Sequence, residues 1–503
     1  MSRKFLLTQN GSAVARREIP VLSGDEFLEE LLAGLEGGWR VVSYFGAAKG
    51  VFLQLYCLLS YKSDAMLGAM STVVTTGSFP SQVQYAPQLH LFEREIAEQF
   101  DIVFDGHPWP KPVRFQRPMA SPPGVAPTVP NKIGVMDFYR VEGDEVHEVA
   151  VGPVHAGIIE PGHFRFQCFG EEVLHLEISL GYQHRDIERM VLGRASGLTL
   201  KRMETVAGDT TIGHGTAYAM IVEGLAGARV PARAHAIRGI ALELERLANH
   251  TGDLGAIAGD VGYLPTASFC GRIRGEFLNL SAELCGSRFG RGLVIPGGVN
   301  FDVAPELAAK LARRIAVARE EVTNAVELLW DTPSVMARLE RTGVVSAETA
   351  LELGLVGPAA RSSGLNRDIR RDHPFGIYCM SQLPVETAKG GDVYARSLVR
   401  WLEVEKSLDF IEEQLAQLPG VAIRYPVGPV GADQLAVALT EGWRGEVCHV
   451  ALTDQSGCFE RYKITDPSFH NWSGLAMALR GTQISDFPLC NKSFNLSYCG
   501  FDL

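Results

Sequence analysis

The sequence predicts an α+β protein, with a small α/β domain at its N-terminal end and a large, mainly helical domain closed by β segments at both ends. Three observations predict this fold class. β-rich runs and one amphipathic helix come first, a proline-rich stretch follows, and long helical patterns fill the middle of the remaining chain. With 503 residues the chain is also too long for one ordinary hydrophobic core, so two domains are expected.

The N-terminal domain is predicted from one hairpin and one helix. Residues 39–45 and 51–59 are rich in β-branched and aromatic side chains and are separated by small residues, which is typical of a β-hairpin. In residues 89–100, apolar side chains recur near helical spacing, which predicts an amphipathic helix. Residues 1–106 are therefore predicted to form a small α/β domain.

A proline-rich linker is predicted for residues 107–135. Because proline fixes φ and has no N–H donor, this stretch is excluded from the interior of helices and sheets. We expect an extended, semi-rigid segment that lies along a neighbouring surface. Its prolines are Pro108, Pro110, Pro112, Pro118, Pro122, Pro123, Pro127 and Pro130.

The large domain is predicted to span residues 136–503. Its centre shows helical periodicity, whereas both of its ends are richer in short β patterns and turn residues. Residues 439–503 are expected to form short strands and turns. The other predicted elements are strands at 138–142, 146–151, 164–166 and 173–178, helices between His184 and about Asp260, and long helices at 305–330 and 395–418.

Composition excludes several classes of protein. The net charge is −11 and there is no basic run, so we expect no nucleic-acid partner. No stretch approaches about 18 uncharged apolar residues, so membrane attachment is expected to come through a partner. The N-terminus has no apolar stretch of the kind found in signal peptides. The nine cysteines form no Cys-x-x-Cys pair and are expected to be free thiols in a reducing compartment.

Several motifs carry a resemblance to known redox proteins. Residues 92–108 read FEREIAEQFDIVFDGHP, residues 152–166 read GPVHAGIIEPGHFRF, and residues 461–469 read RYKITDPSF. The first resembles the signature of the 30-kDa subunit of complex I, a packing and docking element. The other two resemble the large subunit of group 4 nickel–iron hydrogenases, such as formate hydrogenlyase, and the 49-kDa subunit of complex I. The resemblance runs from about residue 85 to the end, and it implies that both subunits are fused in one chain.

The resemblance to hydrogenases implies a nickel–iron centre, which is held in that family by four thiolates from two Cys-x-x-Cys pairs. Two of these positions are Ala207 and Thr210 here, and the other two are Leu496 and Cys499. Only Cys499 could supply a thiolate. We therefore expect no nickel–iron centre and no hydrogen chemistry.

Complex I implies a second activity, the reduction of quinone. Its quinone-binding tyrosine corresponds to Thr205 here, and its quinone-binding histidine has no clear equivalent, although Glu160 and His163 flank its place. Quinone binding stays open as an alternative, without its usual donors.

Ionisable residues around the lost centre are the candidate site residues. The resemblance places Glu160 where hydrogenases have a proton-relay glutamate and Arg444 where they have an active-site arginine. His214 keeps the histidine of the motif, Asp209 is a new acid between two lost ligands, and His163 lies near the hairpin loop. Such groups, buried near one cavity, would shift each other's pKa values and could relay protons. The alternative is that they only neutralise each other as salt bridges.

A second ionisable set lies on one helix and is expected to be structural. Arg246 and His250 are four residues apart and therefore share a helix face. The set is Glu243, Glu245, Arg246, Asn249 and His250.

The leading hypothesis is a large subunit of a membrane-bound, energy-converting oxidoreductase complex that has no nickel–iron centre. The resemblance implies a small iron–sulfur subunit with a 4Fe–4S cluster, antiporter-like membrane subunits and other complex I-like subunits as partners. The chain itself is assigned no bound cofactor, and it is expected to be peripheral on the cytoplasmic side of the membrane. The alternatives are a quinone-reducing subunit and a non-catalytic scaffold.

Overall fold

The computed structural model describes residues 4–61, 64–121, 132–157 and 159–503. The strands are β1 (Leu6–Gln9), β2 (Ala13–Ala15), β3 (Val21–Leu22), β4 (Arg40–Lys49), β5 (Phe52–Tyr61), β6 (Met66–Val74), β7 (Ser78–Pro80), β8 (Val103–Asp105), β9 (Val146–Val151), β10 (His163–Phe169), β11 (Glu172–Ser179), β12 (Val294–Ile295), β13 (Gly298–Val299), β14 (Gln434–Gly442), β15 (Gly445–Thr453) and β16 (Phe459–Thr465). The α-helices are α1 (Gly24–Glu36), α2 (His90–Phe100), α3 (Ile187–Met190), α4 (Gly197–Met203), α5 (Thr211–Ala226), α6 (Ala232–Asp260), α7 (Leu264–Cys285), α8 (Pro305–Trp330), α9 (Pro333–Leu339), α10 (Ala347–Glu352), α11 (Gly357–Arg361), α12 (Ile369–Asp372), α13 (Val393–Ala416), α14 (Pro467–Ala478), α15 (Phe487–Phe494) and α16 (Tyr498–Asp502).

The N-terminal sheet contains the predicted hairpin. β4 and β5 pair antiparallel, with Arg40 opposite Ser60 and Lys49 opposite Phe52 beside the turn. β6 and β1 extend the sheet, and β3 pairs parallel with β6. The predicted amphipathic helix is α2, which packs its apolar side chains against β4. Both predictions are confirmed.

The first part of the predicted linker is extended and lies along α2. Residues 107–121 form neither helix nor strand. Arg94 of α2 donates from Nε to the carbonyl of Lys111 (2.7 Å) and from Nη2 to that of Pro112 (2.8 Å). These residues thus lie along a neighbouring surface, as expected, and their role as a linker stays a prediction. Residues 122–131, with the other four predicted prolines, lie outside the described residues.

The two predicted domains share a sheet. β2, which lies within the predicted first domain, pairs antiparallel with β14, so that Val14 lies opposite Leu435. Aromatic packing joins the same parts, since the rings of Phe92 and Phe469 lie 5.0 Å apart. The C-terminal sheet therefore has the order β16-β15-β14-β2. The domain boundaries at residues 106 and 135 stay predictions.

Helices α5, α6 and α13 and the C-terminal sheet form the frame of the candidate site. α5 packs on β14 and β15, and α6 packs between α7 and α13. The long helices predicted at 305–330 and 395–418 are found as α8 and α13. None of the described helices has the length and apolar character that a membrane crossing requires.

Two predicted elements are wrong. Residues 138–142 form no strand, and β9 pairs with β10 instead. The reason is that side chains bind this backbone: Glu177 accepts from the N–H of Tyr139 (2.7 Å), and Gln167 accepts from that of Val141 (3.4 Å).

The predicted C-terminal strands and turns end at Thr465, after which the chain is helical. Asp466 caps α14 by accepting the N–H of Ser468, and Pro467 takes the first helical position, where its missing N–H costs nothing. A proline at the start of α15 acts in the same way. These prolines begin helices rather than turns.

Candidate functional site

The two segments that hold the nickel ligands in hydrogenases lie side by side. Arg185 joins them with its guanidinium. It donates from Nη1 to the carbonyl of Thr205 (2.7 Å), and from Nη2 to the carbonyls of Val206 (2.9 Å) and Cys499 (3.1 Å). The two segments are therefore held together by one side chain.

Three of the four ligand positions carry side chains that cannot replace a thiolate. Ala207 is fully buried, the methyl group of Thr210 lies against Gly213 and Gly442, and Leu496 belongs to an apolar cluster. Among the residues that the structure describes, no three His, Cys, Asp or Glu side chains are grouped as metal ligands. The side chains present do not fit a four-thiolate nickel–iron centre.

Cys499, the fourth ligand position, is half-buried. Its thiol lies 3.4 Å from Oγ of Ser497 and is close enough to the Glu160 carboxylate to be affected by its charge. Burial and the neighbouring Glu160 carboxylate raise the pKa of the thiol to about 11. The thiol is therefore protonated at neutral pH and is a weak nucleophile.

A bidentate ion pair links the two ligand-bearing segments. Nη1 and Nη2 of Arg444 lie 2.6 and 2.8 Å from the two carboxylate oxygens of Asp209. Nε of Arg444 donates to the carbonyl of Asn495, and its guanidinium lies 3.9 Å from the ring of Trp443. The Arg444 side chain is 4% exposed and that of Asp209 is 34% exposed. The pair thus has one buried cation and one anion that reaches solvent.

The segment around Asp209 is fixed by groups from two other elements. The backbone carbonyl of Asp209 accepts from Nε1 of Trp443 (2.9 Å) and from Nδ2 of Asn249 (3.1 Å). Thr210 provides no side-chain cap for α5; instead Glu245 of α6 accepts the N–H groups of the first helical turn, at Ile212 (2.7 Å) and the following glycine (3.2 Å). A carboxyl oxygen is a suitable acceptor there because the first N–H groups of a helix have no partner within the helix.

A buried hydrogen-bonded chain of four side chains runs behind the ion pair. Nε2 of His214 lies 3.1 Å from the Asp466 carboxylate, and its Nδ1 lies 3.0 Å from Nε2 of His449. Nδ1 of His449 lies 2.8 Å from the hydroxyl of Tyr462. If each imidazole donates from Nε2 and accepts at Nδ1, every contact has one donor and one acceptor. Protons can therefore be passed along the chain without any side chain leaving its place.

The environment fixes the charges of Asp466 and His449, two members of this hydrogen-bonded series, differently. Burial alone would raise the pKa of Asp466, but His214, Arg444 and the N–H of Ser468 together outweigh burial and the pKa is lowered. Burial and the neighbouring His214 hold the pKa of His449 well below its ordinary value. At neutral pH, Asp466 is thus an anion and His449 is a neutral imidazole.

The predicted site residues are only partly brought together. Asp209 and Arg444 form the ion pair, His214 lies in the chain behind it, and Glu160 lies close to Cys499. His163 has no contact with these residues within the described ranges. Its Nδ1 lies 3.2 Å from the carbonyl of Gly152, and its ring lies 5.2 Å from that of Phe138.

Of the helical ionisable set, Glu243, Arg246 and His250 form buried contacts of the structural kind that was predicted, whereas Glu245 and Asn249 bind the segment around Asp209. Arg246 contacts Glu243 (3.0 Å) and Glu403 (3.2 Å), and His250 contacts Glu403 (2.9 Å). Thr205, at the position of the quinone-binding tyrosine, adds no support for the quinone alternative. Its hydroxyl donates to a carbonyl of its own turn, at 2.8 Å. Beside Asp209 there is a cavity of about 20 Å³, enough for about one water molecule.

Comparison with known proteins identifies the family of this chain. Residues 260–434 match the model of the 49-kDa subunit of respiratory-chain NADH dehydrogenase, and residues 28–123 match that of its 30-kDa subunit. The chain is 31% identical over 354 residues to the carbon monoxide-induced hydrogenase of Rhodospirillum rubrum, covering 69% of this chain and 97% of that protein. The chain belongs to the 49-kDa subunit family of complex I.

Other relatives are named as subunits of formate hydrogenlyase and of NADH-quinone oxidoreductase. Formate hydrogenlyase subunit 5 of Escherichia coli is 28% identical over 486 residues, which are 93% of this chain and 85% of that protein. NADH-quinone oxidoreductase subunit 4 of Thermus thermophilus is 30% identical over 369 residues, 68% of this chain and 90% of that protein. The chain is thus a fusion of 30-kDa-like and 49-kDa-like domains, and the resemblance predicted from the motifs is confirmed.

Proposed function

We propose that this chain is the large subunit of a membrane-bound, energy-converting oxidoreductase complex, in which an ion pair and a buried proton relay take the place of a nickel–iron centre. The observation that supports it best is the Asp209–Arg444 pair, because it joins the two segments that bear the metal ligands in hydrogenases. The relay from Asp466 to Tyr462 lies directly behind those segments. Relatives named as hydrogenase and NADH-quinone oxidoreductase subunits support the assignment to such a complex.

The proposed chemistry is a change of charge that moves a proton. A small iron–sulfur subunit would hold a 4Fe–4S cluster and would supply electrons to the site, and Arg444 is the buried cation of this chain that would respond to the added negative charge. That charge would compete with Asp209 for the guanidinium, because two anions would then share one cation. Asp209, which reaches solvent, would take up a proton as the pair loosens, and His214 and its neighbours would redistribute protons behind it. This chain would lie on the cytoplasmic side of the membrane, and the resulting movement of its residues would be passed to antiporter-like membrane subunits.

The proposal is tested on the complex from its own host. The tagged chain is isolated from detergent-solubilised membranes, and the complex is placed in liposomes, where redox-driven ion movement is followed with pH- and potential-sensitive dyes. We expect an iron–sulfur protein and multi-spanning subunits to copurify with the chain. We further expect Asp209→Asn and His214→Phe to leave the complex assembled and to reduce ion movement at least tenfold.

The control is Glu321→Gln, which removes a carboxylate paired with Arg272 on the surface at 2.9 Å. It should behave like the wild type. Normal ion movement in both site variants would overturn the proposal and favour a scaffold. Reduction of added quinone that is lost with Glu160→Ala would favour the quinone-reducing alternative instead.

A further inference from the structure

A continuous series of buried polar contacts leads away from Arg444. The carbonyl of Asn495 accepts from Arg444, and the side-chain amide of Asn495 donates to Asp253. Asp253 lies 3.2 Å from Nη1 of Arg400, which lies 3.4 Å from Nδ1 of His250. These contacts connect the candidate site to the interior of the helical domain.

The series continues through a shared arginine. Nε2 of His250 lies 2.9 Å from Glu403, and the other oxygen of Glu403 lies 2.6 Å from Nη2 of Arg361. Nη1 of Arg361 lies 2.8 Å from Glu441. Glu403 and Glu441 thus share one guanidinium, and all four side chains are buried.

Glu441 is the end of this series, and it lines a polar cavity. The cavity has a volume of about 340 Å³, which is room for several water molecules. It lies between the β4–β5 hairpin, which contributes Arg40 and Ser60, and the region of α12, which contributes Arg367 and His373. Because the lining is mostly polar and charged, water is the expected occupant.

The charges of the network do not balance. It contains one carboxylate more than guanidinium groups, and burial lowers the pKa of His250 to about 3, so that this imidazole is neutral. An unpaired buried anion is costly, and a bound proton removes that cost. The carboxylates are Asp209, Glu243, Asp253, Asp368, Glu403 and Glu441, and the guanidinium groups are Arg246, Arg361, Arg370, Arg400 and Arg444.

We infer that Glu441 is the proton-exchanging end of the network, taking up a proton from the water of the polar cavity and releasing it there. The surplus carboxylate requires one exchangeable proton. Asp368 and Glu441 are the network carboxylates that line the cavity. Asp368 is held by two guanidinium groups, those of Arg370 (2.6 Å) and Arg361 (3.4 Å), whereas Glu441 pairs, among the described residues, with Arg361 alone (2.8 Å), so the proton is assigned to Glu441. The inference rests on the proposed function only where it assigns this proton to the redox cycle. In that role, the cavity would be a proton outlet next to the N-terminal domain.

The surroundings of Glu441 agree with exchange near neutral pH. Its two oxygens accept from Arg361 (2.8 Å) and from the N–H of Ile369 (3.0 Å), which favour the charged form. Burial and the nearby Asp368 carboxylate outweigh them and raise the pKa of Glu441 to about 7. Other charged groups face it from neighbouring elements: Arg246 from α6, Arg370 from α12, Glu403 from α13, and Arg367 across the cavity.

The test is a pH titration of the full chain by infrared difference spectroscopy, which detects the carbonyl stretch of protonated carboxyl groups. Glu93 and Glu245 also have raised pKa values, of about 7 and 8, so the measured quantity is the difference between the wild type and Glu441→Gln. The control is Asp372→Asn, which removes a carboxylate from the same cavity. Its partner Arg371 is exposed to solvent, so the fold should tolerate this change.

We expect one carboxyl titration with a midpoint near pH 7 to be lost in Glu441→Gln and kept in Asp372→Asn. An unchanged titration in a folded Glu441→Gln chain would overturn the inference. If that variant does not fold, the wild-type chain labelled with ¹³C-glutamate decides, because the label shifts only glutamate bands. A glutamate band that titrates near pH 7 and moves in Arg367→Gln, which removes the cation facing Glu441 across the cavity, would support the inference, and the absence of any glutamate band that responds to this change would overturn it. Loss of the titration with normal ion movement in the complex would contradict only the role in the redox cycle.

Discussion

Asp209→Asn separates the charge of the central ion pair from its shape. The substitution keeps one oxygen that can accept from Arg444, but it leaves the guanidinium without its counterion. The remaining acceptor for Nε of Arg444 is the carbonyl of Asn495. The energetic effect therefore reports the electrostatic contribution of the pair.

Burial sets the size of this effect. Breaking a fully buried ion pair costs about 3–5 kcal/mol, because the remaining charge has neither partner nor water. Asp209 is 34% exposed, so solvent weakens the pair and the expected loss is roughly 2 kcal/mol. With an unfolding entropy of about 2.1 cal/mol/K per residue, this corresponds to a fall in Tm of about 2 °C for a chain of this length.

The assay is thermal unfolding of Asp209→Asn, Arg444→Met and the double variant. The double variant leaves no unpaired charge, so it should be more stable than the sum of the single effects predicts, by about 1–2 kcal/mol. The surface variant Glu321→Gln should change the stability by less than about 0.5 kcal/mol. Additive effects at Asp209 and Arg444 would refute the electrostatic interpretation of the pair.

Three further predictions concern the neighbours of the pair. Asp466→Asn should lower the stability by about 2 kcal/mol at pH 7. Because the folded-state pKa of Asp466 is lowered, the wild type should keep this advantage above pH ~4 and lose it as the pH falls further; urea unfolding across pH measures it. Glu245→Ala should cost about 1 kcal/mol of stability by uncapping α5, which thermal unfolding detects. Glu160→Gln should lower the pKa of Cys499 and speed its alkylation at pH 8, as followed by peptide mass spectrometry; an unchanged rate would argue against their interaction.

Elements with a strong local pattern were predictable from the sequence. The β4–β5 hairpin and helices α2, α8 and α13 each have their own periodicity and boundaries. The strand predicted at 138–142 has an equally suitable composition, but its backbone is bound by the side chains of Glu177 and Gln167. Such contacts arise only when distant segments meet, so no local pattern reveals them. The C-terminal helices were missed because they are short, and because Pro467 begins a helix at a position where its sequence alone is equally compatible with a turn.

The residues of the candidate site could likewise be predicted only in part. Ala207, Thr210 and Leu496 could be located because the motifs around them remain legible. The partners of His214 could not, since Asp466 and His449 lie more than 200 residues away in the chain. Asp466 stands in a motif that the sequence had already indicated, but a buried histidine in a hydrophobic strand gives no such signal. The shared arginine of the inner network, Arg361, was likewise invisible, because its partners Glu403 and Glu441 lie on a distant helix and a distant strand.

Metal analysis of the complex, purified from its own host, tests the central claim most directly. The claim is that an ion pair and a proton relay have replaced a nickel–iron centre in this family member. We predict iron from the partner subunit but no stoichiometric nickel, both in the wild type and in Cys499→Ser. One nickel per chain, lost on substitution of Cys499, would contradict it.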